Sequence, residues 1–345
     1  MMNLYKTRWS YRNAGARQKQ QGFAIITVLL VVAIIAVLAM QMSGRLRIQV
    51  ARVASSDYAE QAYWHWLSAE ALVRQVLLTE LEESEGRAHL EQNWALQQGP
   101  FPVRGGAIGG RIQDLHSCFN LNSLYTDDIT NARFVLAVEQ YQALLQVLEI
   151  DEFQAERLTA SLIDWLDKNS ELHNSFGAED ADYESLPQPY QAGNNLLSHI
   201  SELRQIAGYN QTVYEALAPY VCVIPAVTEW RLNLNTVAEN KPQIVTAFFR
   251  GQLDMNAAQS LLSARPRDGF EDVEAIRQQG EIQNLLSVGT ALSELEQLTV
   301  ASEYFQLQAQ VQYGDLEYYG VSQMLIRDGA AFILHRSRGG YQQDE

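Results

Sequence analysis

The sequence predicts an α+β protein: a long N-terminal helix packed on an antiparallel sheet, with a large all-α region inserted into the sheet domain. Three observations carry this reading. An apolar run from Phe23 to Met40 continues without proline to Leu81. Helical periodicity fills residues 125 to 220. From Leu298 the apolar period drops to two, in segments separated by Gly314-Asp315 and Asp328-Gly329. The 345 residues are 47% hydrophobic, enough for a substantial core.

Charge is unevenly spread. Residues 1 to 22 carry Lys6, Arg8, Arg12, Arg17 and Lys19 and no acid. The formal charge of −16 therefore divides into +5 on this leader and −21 on the rest. So acidic a body repels phosphate backbones, which makes nucleic acid a poor partner. Divalent cations or basic protein surfaces suit it better.

Phe23 to Met40 holds eighteen residues without a charge, and Thr27 is the one polar residue among them. As a helix it spans about 27 Å, enough to cross a bilayer core. Twelve of its residues are Leu, Ile, Val or Phe, and membrane insertion gains about 4–7 kcal/mol. A cleaved signal peptide has a shorter apolar stretch and a small-x-small cleavage site. The best such site here, "VLAM" ending at Ala39, is poor. Five cations precede the run, while Arg45, Arg47 and Arg52 follow it, so charge leans toward a cytoplasmic N-terminus. Between Gln41 and Leu81 the sole glycine is Gly44. Ala51, Ala54, Tyr58, Ala62, Trp66, Ala69, Val73 and Val76 recur at helical spacing.

The junction "KQQGF" places Gly22 before the phenylalanine that opens the run. It resembles the type III leader of type IV pilins and type II secretion pseudopilins. That resemblance implies a cut after Gly22 by prepilin peptidase and methylation of Phe23. Most pilin-like subunits carry Glu at the fifth mature position, where this chain has Thr27. An unpaired carboxylate in a membrane helix costs about 2–3 kcal/mol and needs a partner. Thr27 can satisfy its hydroxyl on the Phe23 carbonyl one turn back.

After the helix, Gly105, Gly106, Gly109 and Gly110 surround a short apolar centre and lead into the strand-like "GGRIQDLHSC". A phosphate-binding loop would open a helix instead, so a flexible hairpin or surface loop is expected. Four helical stretches follow, "NARFVLAVEQYQALLQVL", "EFQAERLTASLIDWLD", "LSHISELRQIA" and "QTVYEALAPYV". They lie between Cys118 and Cys222. In the cytosol these two would be buried thiols; in an exported body a single disulfide clamps the block at its base. In the chain-entropy model such a loop of about a hundred residues stabilises by roughly 4–5 kcal/mol.

"FNLNSL" (residues 119–124) and "LNLNTV" (residues 232–237) form a weak internal repeat, each followed by helical sequence. This resembles helix-hairpin-helix modules, which bind nucleic-acid backbones through a glycine-rich hairpin with basic neighbours. Here Gly208 is the one candidate glycine, and its surroundings are acidic. The resulting division is a leader over 1–22, a long helix over 23–81 with 23–40 transmembrane, an α/β domain from 100–120 and 228–345, and a helical insert over 121–227.

Leader, missing glutamate, helical insert and C-terminal sheet together resemble the large minor pseudopilin, the general secretion pathway protein K family. The resemblance implies a single-pass inner-membrane subunit with its body in the periplasm, and a structural initiator at the tip of the type II secretion pseudopilus. Its implied partners are the I- and J-type minor pseudopilins, met through the N-terminal helix. A type IV pilus minor pilin and a membrane-anchored DNA-uptake protein are the alternatives.

The chemistry-bearing cluster is acidic. Asp164, Asp167, Glu171, Glu179, Asp180, Asp182 and Glu184 crowd twenty-one residues, with Lys168 the single Lys or Arg. Asp164 and Asp167 share one helix face, and Gly177 lets the loop turn back toward them. Hard oxygens over a helix end suit calcium, although no EF-hand pattern is present. A solvated acidic loop is the other reading of these residues. The resemblance implies a structural Ca2+ site, since the K subunit is a calcium-binding pseudopilin whose "GAED" loop is similar to residues 177–180. The expected ligands are Asp167, Glu179 and Asp180, with Asp164 and Asn194 completing the shell.

No enzyme is expected. The six histidines are scattered, and neither His-Glu-x-x-His nor Gly-x-Ser-x-Gly occurs. His65, between Trp64 and Trp66, reads as a packed helix residue.

Overall fold

The computed structural model describes residues 21–96, 99–287 and 293–339. The leader before Gln21 lies outside the described residues. Helix α1 runs unbroken from Gln21 to Glu83. Strands β1 (Phe101–Val103) and β2 (Gly106–Asp114) follow. The two-residue strand β3 (Phe119–Asn120) opens the helical region, which begins with α2 (Ala132–Val147), α3 (Glu152–Leu166), α4 (Asp180–Glu184) and α5 (Gln211–Leu217). The stretch "LSHISELRQIA" forms a 3₁₀ turn at Ile200–Gln205. Next come β4 (Val221–Cys222), β5 (Leu232–Asn233), α6 (Pro242–Phe248), α7 (Met255–Ser263), α8 (Val273–Arg277) and α9 (Gly280–Ser287). The chain ends on β6 (Leu298–Thr299), β7 (Tyr304–Tyr313), β8 (Leu316–Arg327) and β9 (Ala330–Arg338).

The chain divides into two compact units, residues 1–57 and 58–345, and α1 contributes to both. Within the first unit its apolar side chains stay outside any core; Phe23, Leu29 and Ile35 are each more than half exposed. The helix is long and apolar enough to cross a membrane, with a mean hydropathy of 3.2 over its best window. Thr27 Oγ1 donates to the carbonyls of Ala24 (2.9 Å) and Phe23 (3.2 Å), so its hydroxyl needs nothing from outside the helix.

In the second unit α1 buries Ala62, Trp66, Leu77 and Leu81 in one core with the sheet. Spacings of four and eleven, close to one and three helical turns, keep them on one stripe. The sheet runs β1-β2-β7-β8-β9, antiparallel throughout. In β7, "YFQLQAQVQY", Phe305, Leu307, Ala309 and Val311 join the α1 core. The intervening Gln306, Gln308, Gln310 and Gln312 point to the opposite face, as the period of two requires. The meander expected from Leu298 holds from Tyr304; residues 298–299 pair instead with β5, in parallel. The paired glycines divide similarly. Gly105, at φ +87°, makes the β1–β2 turn, whereas Gly109 and Gly110 sit in β2 and are not loop. At Gly106 a Cβ would collide with the Gln312 carbonyl oxygen at 1.7 Å, which is why no side chain stands there.

A charged bolt ties α1 to the last two strands. Glu70, buried on the helix, receives two 2.7 Å hydrogen bonds from the Arg336 guanidinium on β9. Ser322 Oγ on β8 donates a third at 2.7 Å, and Arg74 Nη2 donates to the Ala331 carbonyl at 2.9 Å. Burial opposes the charge on Glu70, but the Arg336 and Ser322 bonds outweigh it and hold its pKa below the ordinary carboxylate value.

A second core takes in residues from Phe119 to Leu298, including α2, α3, α5, α6 and α7, with α2 packed on α6. The insert boundary expected at residue 227 therefore does not coincide with a core boundary. Helices α6 to α9 occupy residues 242–287, which the sequence reading assigned to the α/β domain. They are five to nine residues long, shorter than the window of eleven or more residues over which an apolar helical period is read.

The internal repeat marks matching joints. Asn122 Nδ2 donates to the Leu197 carbonyl at 3.1 Å while its Oδ1 accepts from the Leu197 amide at 2.9 Å. Asn235 does the same to Phe270, at 3.0 and 2.7 Å. In each copy the strand before the asparagine starts a short parallel ladder, β3 with β4 and β5 with β6. All four repeat asparagines, Asn120, Asn122, Asn233 and Asn235, are fully buried, so these loops hold the fold and offer nothing to a nucleic acid. Cys118 and Cys222 form the disulfide that closes the first helical block, spanning 104 residues.

Glu70→Ala is expected to cost about 2 kcal/mol, because it strands Arg336 and Ser322 at a partly buried joint. Chemical denaturation of the full chain in detergent checks this, and an unchanged midpoint would remove the bolt from the list of contacts that hold the helix on the sheet.

Candidate metal centre

Helix α3 starts at Asp151, whose carboxylate accepts from the Gln154 amide at 3.0 Å. It ends at Asp167, the residue just beyond its last turn. Asp164 and Asp167, three apart, emerge side by side at that C-terminal end. The chain then returns over them. Asp164 Oδ1 accepts from the His173 amide at 2.7 Å and Oδ2 from the Ala178 amide at 2.8 Å. Gly177 permits this closure, since a Cβ there would lie 1.8 Å from Asp164 Oδ2.

The loop delivers Glu179 to the pair. One carboxylate oxygen from each of Asp164, Asp167 and Glu179 lies within 4.8 Å of the other two. Asp164 is 0% exposed and Glu179 5%. Both Glu179 oxygens are buried without a hydrogen-bond partner. Lys168, the nearest cation in sequence, turns away and sits 5.6 Å over the Tyr125 ring.

Electrostatics record the strain of that convergence. Burial raises the Glu179 pKa to about 7, with the charges of Asp164 and Asp167 adding to it. Burial likewise raises Asp164 to about 6, against the two backbone amides that favour its charge, and it raises Asp167. Three carboxylates facing one another with no cation cost several kcal/mol when ionised. A divalent cation removes that cost, and oxygen donors of this kind match a hard ion.

The remaining predicted ligands stand differently. Asp180 Oδ1 accepts from the Ala192 amide at 2.9 Å, which ties α4 to the following loop; it is outside the convergent trio. Asn194 has a left-handed backbone, φ +43°, and a buried Oδ1 without a partner. Asp182 receives the Glu179 amide at 3.0 Å and acts as a helix cap. Asp164 is the centre of the arrangement, and the i, i+3 aspartates combined with Gly177 are the signal that points to it. Gly22 and Phe23 lie in the first turn of α1.

A family model described as type II secretion system (T2SS), protein K matches residues 117–226, and a second of the same description matches 232–299. The two matches begin at the two copies of the internal repeat. The chain is 34% identical over 333 residues to the type II secretion system protein K of Aeromonas hydrophila, covering 94% of this chain and 98% of that protein. It is 34% identical over 326 residues to the protein of the same name from Klebsiella pneumoniae, with the same coverage. Among solved structures, the GspK–GspI–GspJ complex of the enterotoxigenic Escherichia coli type 2 secretion system contains a chain that superposes with a TM-score of 0.74. That chain is 31% identical, and the match covers 84% of this protein and 100% of that one.

The sign of the pH effect follows from the raised pKa of Glu179. Between its unfolded value near 4.5 and about 7 the folded state holds the extra proton, so metal-free stability falls as pH rises through that window. Glu179→Gln is therefore expected to stabilise the chelator-treated protein at pH 7.5 by about 1–2 kcal/mol, allowing for solvent screening, and to change little at pH 4. Thermal melts at the two pH values check it; equal effects at both would show that the carboxylate is not strained.

Proposed function

This chain belongs to the type II secretion system protein K family and is a minor pseudopilin of that system; from that premise we propose that it is a calcium-stabilised structural initiator at the pseudopilus tip. The family is a component of a secretion machine, and the role proposed here is mechanical. The observation that carries the tip reading is the helical region built between β2 and β7, a large body added to the α1-and-sheet unit. Such a body leaves no room for another subunit to stack above it.

The apolar part of α1, unpartnered within its own unit, is the surface a bilayer or neighbouring helices would cover. We take the solved relative's companions, GspI and GspJ, as the model for the partners of this chain. The same reading makes prepilin peptidase the enzyme that cuts after Gly22 and methylates Phe23. It also puts the N-terminus in the cytoplasm and the second unit in the periplasm, where the Cys118–Cys222 bond persists. Thr27 has its hydroxyl satisfied within the helix, which suits a subunit needing no acidic partner above it. The similarity to protein K weighs against both the DNA-uptake alternative and a type IV pilus role, and the acidic body weighs further against DNA uptake.

Calcium would be held by Asp164, Asp167 and Glu179, with Asn194 a further oxygen and Asp180 bracing the loop through Ala192. The ion supplies positive charge. This chain's own part is to bring the carboxylates together through the Asp164 clamp on His173 and Ala178.

Two measurements test the proposal. The intact mass of membrane-extracted protein is expected to match a methylated chain starting at Phe23; a retained leader in cells with active peptidase would refute the processing. Calcium at a hundred times its dissociation constant is expected to stabilise the protein by about 2.7 kcal/mol, raising Tm by several degrees. Asp167→Asn and Glu179→Gln are expected to abolish the rise, and a rise that survives both substitutions would place the ion elsewhere.

A further inference from the structure

Beyond its apolar run, helix α1 carries charge of one sign. Arg45, Arg47 and Arg52 follow Met40 in quick succession, and the first acid of the whole chain is Asp57. All three arginines are exposed. A helical side chain meets neighbours three or four residues away, and no Asp or Glu stands at those distances from any of the three. Their charge is therefore uncompensated along the helix. No tryptophan or tyrosine occurs between Phe23 and Asp57 either, so the usual aromatic anchors of a membrane interface are missing at this end of the span.

Their distance from the apolar run matches the headgroup layer. At about 1.5 Å per residue, Arg45 lies about 8 Å beyond Met40 and Arg47 about 10 Å. Headgroups extend roughly 5–8 Å past the hydrocarbon on each side. Helical side chains tilt toward the N-terminus, which here is the direction of the apolar run, so Arg45 and Arg47 lean back into that layer. Arg52, about 18 Å along, leans the same way. It stays within reach of the surface field, which salt screens over about 8–10 Å.

Azimuth decides the kind of partner. At about 100° per residue, Arg45 and Arg52 share one stripe, while Arg47 faces away from it by about 140–160°. A neighbouring helix packs on one side and would leave at least one arginine unmatched. Headgroups surround a membrane-spanning helix on every side and meet all three. The cluster also carries a cost: with the N-terminus in the cytoplasm, cations beyond the span oppose the positive-inside preference. Once the chain is cut after Gly22, they are the only charged side chains among residues 23–56.

We propose, resting on the membrane span inferred above for α1, that Arg45, Arg47 and Arg52 form a collar that binds anionic phospholipid headgroups at the C-terminal end of that span. The collar sets the depth of the helix. Sliding inward would drive guanidinium groups into hydrocarbon, and withdrawing would release their phosphate contacts.

The test reconstitutes the full chain in phosphatidylcholine vesicles and adds one spin-labelled lipid at a time, phosphatidylglycerol or phosphatidylcholine. Electron spin resonance then measures the label immobilised at the protein surface. Phosphatidylglycerol is expected to associate more strongly at low salt. That preference should fall about threefold in Arg45→Gln/Arg47→Gln/Arg52→Gln and about twofold in the milder Arg45→Gln/Arg47→Gln. It should hold in Arg45→Lys/Arg47→Lys/Arg52→Lys, which keeps the charge. A retained leader adds its cations to wild type and variants alike, so the difference between them is the readout, and it should shrink at about 0.5 M salt. Equal association of the two lipids, a preference unchanged in both glutamine variants, or one lost in the lysine variant would each overturn the proposal. Failure of the chain to float with the vesicles would refute the span itself, whereas flotation without a lipid preference sinks the collar alone.

Discussion

Helix α1 has to satisfy two solvents along one unbroken ladder of backbone hydrogen bonds, and the rest of the molecule is arranged around that constraint. In its apolar part no side chain has a core to enter, so any polar group must be satisfied from within the helix. Thr27 does this through the carbonyls of Phe23 and Ala24. Further along, the same helix carries a full carboxylate at Glu70, because there the sheet supplies Arg336 and Ser322. The two residues show one solution at two dielectric extremes: along α1, each of these polar groups has its partner built in.

The helical region faces a different difficulty, the entropy of closing a long excursion from the sheet. Three devices answer it with related chemistry. The Cys118–Cys222 bond shortens the excursion covalently. Asn122 and Asn235 each grip the amide and carbonyl of a distant residue, replacing a missing strand with a side chain. Asp164 grips two amides of its own loop. The last device differs in kind, since a carboxylate used as a clamp brings charge into the interior and obliges its neighbours to accommodate it.

What was legible in the sequence follows the range of the signal. The strands β7 to β9 and the long helix were readable because their periods run for nine residues or more. The disulfide was readable once export was assumed, two cysteines leaving one pairing. Helices α6 to α9 were not, since each ends before its period is established. Within the acidic loop, composition drew attention to seven acids and the family resemblance put Asp167, Glu179 and Asp180 before Asp164, whereas the geometry places Asp164 at the centre and gives Asp180 to Ala192. That reversal depends on Gly177, where the closeness of a backbone to a carboxylate cannot be seen from spacing alone.

The acidic loop bears on the stability of the second unit through the net charge of that unit. Residues 58–345 carry a formal charge of −23, since the leader and the segment up to Asp57 are both net positive; such a body repels itself, and each buried carboxylate raises the cost of every other. Confining three of the acids to one small volume turns a diffuse penalty into a local one, which a single divalent ion can cancel.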